Sequence, residues 1–220
     1  MKKNVMRFYS IPILLLSLTA SLPLAAQKSW ELKKDEEGIK VFSKSSDNSR
    51  YNELKVEMTL SAKLSSLAAL VLDIDNYPNW SFNTEKSYVL KKISPSELYF
   101  YTLIHSPWPA SNRDLAVHLS LTQDETSKVL SIRAECVPNY IPPKKDIIRV
   151  PLSIEQWTVT PLPGDKVRIE YQLKLDPGAS VPPWLINLFS TKGPYETFTH
   201  LRQQIQKDPY RNAVISFIRD

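Results

Sequence analysis

The 220 residues carry 28 Lys and Arg against 23 Asp and Glu, a formal charge of +5, with 42% hydrophobic residues, a single cysteine and four glycines. One thiol excludes an internal disulfide, so the fold has to rest on an apolar core, which a chain of this length can supply. So few glycines leave little room for a phosphate-cradling loop, and neither a Gly-x-Ser-x-Gly elbow nor a His-Glu-x-x-His pair occurs.

Met1 to Ala26 reads as a secretory signal peptide: Lys2, Lys3 and Arg7 precede an apolar run from Ile11 to Leu24, and Ala25-Ala26 offers a small-residue cleavage site before Gln27. Pro12 interrupts that run, which falls short of the roughly 20 apolar residues of a spanning helix. No cysteine follows it, so no lipid anchor is indicated. The chain is therefore expected to be exported, to the periplasm or beyond, after cleavage near Ala26. Removing the segment leaves 25 basic against 23 acidic residues, which undercuts the case for a nucleic-acid partner. Lys33-Lys34, Lys91-Lys92 and Lys144-Lys145 are isolated pairs, read as solvated charges.

Residues 27–207 then read as one domain in which apolar and polar residues alternate. The alternation is clear at Leu54, Val56, Met58 and Leu60; at Leu98, Phe100, Thr102 and Ile104; at Val117, Leu119 and Leu121; at Leu130, Ile132 and Ala134; and from Val167 to Leu175. Each predicts a strand with one buried and one wet face. Weaker strands are expected at Ile39 to Ser43, Ser87 to Ile93 and Ile147 to Thr160, the last bent at Pro151, which cannot donate to a ladder. Short polar connections favour antiparallel hairpins. Cys136 shares parity with Ile132 and Ala134 and reads as a small buried group. Tyr99 and Tyr101 fall opposite Phe100, so a second packing layer or an exposed patch has to take them.

Helix signals are few. Ser61 is placed to cap a run, Leu64 to Leu72, that ends before Asn76-Tyr77-Pro78, with Asp73 and Asp75 at a solvated terminus. A long amphipathic helix starts at Pro182-Pro183 and runs to about Gln206, with Trp184, Leu185, Leu188, Phe189, Tyr195, Phe198, Leu201 and Ile205 on its apolar stripe and a break expected at Gly193-Pro194. Residues 208–220 form a tail whose conformation the pattern leaves open.

Three stretches in this order carry a family resemblance: Tyr77 to Trp80 after the short helix; Pro107-Trp108-Pro109-Ala110-Ser111-Asn112-Arg113-Asp114 before a central strand; and a C-terminal block of Trp157 to Pro161, Asp176-Pro177-Gly178, Pro183-Trp184-Leu185 and Lys192 to Tyr195. The chain resembles a START domain, the lipid-transfer branch of the helix-grip fold. The resemblance implies an α+β architecture in which a curved antiparallel sheet is closed by the C-terminal helix around a hydrophobic tunnel for one lipid-like molecule. Sterol-binding members carry an acidic residue and an arginine at places that hold Phe100 and Leu119 here, which points to a more uniformly apolar ligand.

The tunnel wall is accordingly expected to include Trp80, Phe100, Thr102, Ile104, Val117, Leu119, Ile132, Tyr171 and Leu173, closed by Trp184, Leu185 and Leu188, with loops around Trp80 and Trp108 as a gate. Arg113 is a candidate for a polar head group, weighed against a structural pair with Asp114 that fixes the loop before it; adjacent strand residues face opposite ways, so at most one looks inward. His105, His118 and His200 lack metal-ligand spacing and read as surface groups. The expected function is binding, and possible transfer, of a lipid or other hydrophobic molecule by a monomer in transient contact with membranes, without catalysis, metal or cofactor. The alternatives are a cyclase or aromatase of the same fold and an interaction module whose core is filled by side chains.

Overall fold

A computed structural model describes residues 29–46, 51–179 and 181–220; the segment expected to be a signal peptide lies outside them. Ten strands form one sheet: β1 Glu31–Glu36, β2 Ile39–Lys44, β3 Glu53–Ser61, β4 Thr84–Ser94, β5 Glu97–Ile104, β6 Arg113–Gln123, β7 Leu130–Cys136, β8 Ile148–Arg149, β9 Leu152–Leu162 and β10 Lys166–Asp176. Their spatial order is β1-β2-β3-β10-β9-β7-β6-β5-β4. All pairings are antiparallel except a two-residue parallel contact of β8 with β6. With a C-terminal helix against its concave side, this is the helix-grip architecture that the START resemblance implies.

Period-2 patterning sets which residues face the concave side. On β6, Arg113, Leu115, Val117, Leu119 and Leu121 face inward. Cross-strand pairing extends each of them into a row, as in Leu98, Leu119, Ala134, Glu155, Leu173 and Leu54. The helix α1 (Leu64–Leu72) and a short 3-10 turn (Ile74–Asn79) precede β4.

Several local expectations are corrected. Ser61 does not cap α1: it is the last residue of β3, Lys63 occupies the cap position without a side-chain bond, and the Asp220 carboxylate accepts the Ser65 N–H at 2.8 Å. The tail thus packs on the domain. Tyr210 is buried, its hydroxyl donates to Asp73 Oδ2 at 2.5 Å, and the Ser66 hydroxyl donates to the Arg211 carbonyl, so Asp73 is half-buried rather than a solvated terminus. The strand β1 has no apolar alternation and exists through its ladder with β2.

The closing helix breaks one turn earlier than expected. It runs as α2 (Pro183–Asn187), a π-helical turn (Leu188–Lys192) and α3 (Gly193–Gln204). Gly193-Pro194 begins a helix instead of ending one, because proline's missing N–H costs nothing in a first turn. A Cβ at Gly193 would lie 3.0 Å from the Phe82 ring, which would have to shift to admit it.

A second layer does cover the tyrosines. Segment 137–147 folds over the convex face, where Tyr140 stacks on Tyr99 at 4.3 Å and the Lys144 ammonium lies 3.6 Å from the Tyr101 ring centroid; Lys144 is thus engaged and not merely solvated. Arg149 anchors the segment through Asp114 (2.7 and 3.2 Å) and the carbonyls of Pro138, Ile141 and Pro142. Cys136 is buried and its sulfur accepts the Ser153 N–H.

Candidate functional site

Between the concave face and the closing helix lies a cavity of about 520 Å³, within the range of small-molecule sites and not filled by side chains. Phe100, Thr102 and Ile104 of β5, Arg113, Val117 and Leu119 of β6, Ile132 of β7, and Tyr171 and Leu173 of β10 line it, with Trp80 after the 3-10 turn and Leu185 of α2. Period 2 puts the strand residues on one face, and Leu185 and Phe189, four apart, bring the first part of the closing helix onto that wall.

Three candidate ligand contacts, Trp108 of the expected gate and Trp184 and Leu188 of the closing helix, lie off the wall. Trp108 is at the tip of the loop between β5 and β6, with a proline on each side and no element above it, and is 91% exposed. Trp184 is 42% exposed because α2 turns its neighbour Leu185 inward instead. Leu188 opens the π-helical turn, half-buried but off the cavity.

Arg113 reaches the cavity and Asp114 does not. The two do not pair: Asp114 belongs to Arg149 on the convex side, while Arg113 Nη1 donates to Ser106 Oγ at 3.2 Å and to the Ser111 carbonyl at 2.5 Å. The guanidinium therefore ties down both ends of the Trp108 loop. Among the described residues it has no carboxylate partner. Burial lowers its pKa from the ordinary value, yet an arginine keeps its charge. A nearly buried cation on the cavity wall calls for an acceptor.

Glu155, which the sequence analysis did not single out, also stands on the cavity wall. On β9 the inward positions are Ser153, Glu155, Trp157 and Val159, so a carboxyl group stands between Ala134 and Leu173 on the concave face. Removal from bulk water raises its pKa to about 7, against the opposing pull of the Tyr171 and Trp157 side chains. The Tyr171 and Tyr77 hydroxyls are in turn pushed well above the usual range, first by burial and then by the Glu155 charge. Aromatic rings surround this end: Tyr77 packs edge-on to Trp80 at 4.7 Å and to Phe100 at 5.4 Å, and Tyr171 to Trp157 at 5.0 Å. Parity with Trp157 and Val159 was the signal that points Glu155 inward.

Two wall residues, Trp80 and Thr102, each have a side-chain polar atom, Nε1 and Oγ1, that is buried without a hydrogen-bond partner. The histidines lie outside the cavity: His118 pairs with Glu97 at 2.7 Å and stacks on Tyr99, and His105 and His200 are exposed. Among the described residues there is no cluster of His, Cys, Asp and Glu able to hold a metal ion, and no helix long and apolar enough to cross a membrane.

Residues 16–210 match the family model described as START domain. An uncharacterised protein of Pseudomonas aeruginosa is 31% identical over 184 residues, covering 83% of this chain and 90% of its own. The phosphatidylcholine transfer protein of Rattus norvegicus is 27% identical over 178 residues, 78% of this chain and 81% of that one. Among solved structures, the STAR-related lipid transfer protein of Xanthomonas axonopodis superposes with a TM-score of 0.74 at 32% identity, over 81% of this chain and 99% of that chain.

Proposed function

The chain belongs to the START domain family, and from that premise we propose that it carries one amphiphilic lipid in its cavity, with an anionic head at Arg113 and the chain along the apolar wall. The observation that carries this reading is a lined cavity of about 520 Å³ holding a guanidinium that no carboxylate among the described residues neutralises. Each buried methylene contributes about 0.8 kcal/mol, so a sealed apolar wall competes with a bilayer for an acyl chain.

Transfer between membranes fits the same reading. The exposed apolar groups Trp108, Trp184 and Ile186 belong to the loop that Arg113 holds and to the first turn of the closing helix, and they suit brief contact with a lipid surface. Catalysis is not part of the proposal: a cyclase needs polar groups converging on one reacting atom, whereas Glu155 lies two strands across from Leu119, itself six residues along β6 from Arg113. Export, with processing near Ala26, rests on the N-terminal pattern.

Native mass spectrometry with lipidomics on protein isolated from its host is the test. A co-purifying anionic amphiphile at one per chain, lost in Arg113→Met, is the expected result; an empty protein that binds no offered lipid refutes it. N-terminal sequencing of the same sample should read from about Gln27, and an intact Met1 would refute export.

A further inference from the structure

We propose that Glu155 makes the grip on lipid proton-dependent: an acyl chain seats against this carboxyl when it is neutral and is shed when it ionises. The inference rests on the reading of the cavity as a lipid site and adds the regulation of that site.

The sheet register holds the carboxyl against the cavity. The strand β9 is interior, between β7 and β10, and Glu155 pairs with Ala134 on one side and Leu173 on the other, all three on the cavity wall. The row continues through Leu119 and Leu98 one way and Leu54 the other, so its in-sheet neighbours are apolar. The other titratable groups on the wall are Lys33, Tyr51, Tyr77, Arg113 and Tyr171. Tyr77 and Tyr171 act on the carboxyl's end of the cavity, and burial together with the Glu155 charge keeps both hydroxyls protonated. Asp73, which also acts on Tyr77, accepts the Tyr210 hydroxyl. Arg113 lies six residues along β6 from Leu119, with Tyr51 acting on it, and Lys33 on the edge strand pairs with Glu31 at 2.6 Å. Among the described residues the closing helix adds none: its wall positions, from Leu185 to Phe198, carry apolar and hydroxyl side chains.

Filling the cavity changes what surrounds the carboxyl. In a wet cavity water solvates the anion, whereas a chain laid along Leu119, Ala134 and Leu173 displaces that water and leaves hydrocarbon against it. A dried anion is costly, so the bound state keeps the neutral form and raises the carboxyl's pKa above its lipid-free value of about 7. By linkage, binding takes up a proton wherever the free carboxyl is ionised, and proton and lipid strengthen each other's hold. Well below pH 7 the group is neutral with or without lipid and affinity is level; above it, affinity falls with each rise in pH until the bound group ionises too.

The test is calorimetric titration of the delipidated protein with octadecanoyl lysophosphatidylglycerol, below its micellar concentration, at pH 6 and 8 and in buffers of unlike ionisation enthalpy. The phosphodiester of this probe stays ionised throughout. Affinity should fall about tenfold from pH 6 to pH 8, with most of a proton taken up per lipid at pH 8. Both Glu155→Gln and Glu155→Leu should flatten the pH dependence and abolish the uptake. Level wild-type affinity without proton uptake would overturn the proposal and leave the lipid reading standing. A pH dependence that survives in Glu155→Gln would overturn it too, by placing the proton on another group. If the lysolipid binds at neither pH, the lipid reading falls and this one with it.

Discussion

Replacing Glu155 with glutamine should make the protein more stable, and only above about pH 4.5. The folded carboxyl titrates at about 7 and an unfolded one near 4.5. Below the unfolded value both states are protonated and glutamine is a close substitute. As pH rises through that window the native state holds a proton that the unfolded state has lost, so wild-type stability falls until the folded group ionises. At 1.36 kcal/mol per pKa unit, the interval from 4.5 to about 7 comes to about 3 kcal/mol at most, and water in the cavity would lower it. The assay is urea unfolding of both proteins at pH 3.5 and 8.5. The difference should be near zero at pH 3.5 and favour the variant by about 2 to 3 kcal/mol at pH 8.5. A pH-independent difference, or one favouring wild type at high pH, would show that the carboxyl is stabilised as an anion and that the desolvation argument is wrong.

Three further outcomes follow from where side chains point. Leu119→Asp buries an unpaired charge in the cavity wall and should cost several kcal/mol or leave the protein unfolded, whereas Ser120→Asp on the other face should stay within about 0.5 kcal/mol by thermal melting; equal effects would mean that the β6 register is misassigned. Asp114→Asn breaks a buried pair and should cost about 3 to 5 kcal/mol in denaturant unfolding, loosening segment 137–147 to proteolysis first; a loss below about 1 kcal/mol would make the pair a mere tether. Phe198→Ala empties a fully buried ring site and should cost about 3 to 5 kcal/mol, while Trp184→Ala should leave the melting midpoint nearly unchanged and slow transfer to vesicles; a stability loss in Trp184→Ala would place that indole in the core.

Most of the sheet was legible because a one-faced antiparallel strand advertises itself by alternation, and β3, β5, β6, β7 and β10 all alternate. The strand β1 was not, since an edge strand whose residues face water carries no apolar period. Nor was the capping of α1 by Asp220, which depends on a contact across 155 positions. On the closing helix, composition identified the stripe but not its phase: the π-helical turn shifts it, so Leu185 turns inward while Trp184 and Leu188 lie off the wall. Glu155 was hidden for a different reason. Leu152 and Ile154 sit on the outward parity of β9, so the apolar pattern inverts where the wall becomes polar, and counting hydrophobic positions assigns the strand weakly.

That inversion is where fold and function pull against each other. A void cut into a packed core costs about 24 cal/mol per Å³, at which rate 520 Å³ would come to about 12 kcal/mol, as much as the net stability of a typical domain. A wholly apolar wall would face that cost whenever the cavity stood without lipid, since a dry cavity has nothing to fill it. Polar groups change the terms: Arg113 and Glu155 on the wall offer water hydrogen-bond partners, so the lipid-free state can be wet instead of collapsed. The same groups weaken the grip on a plain hydrocarbon chain, which must leave them unpaired. A carrier needs both properties, because a wall that holds its cargo with the full hydrophobic gain and cannot survive empty would neither release lipid to a membrane nor return for more.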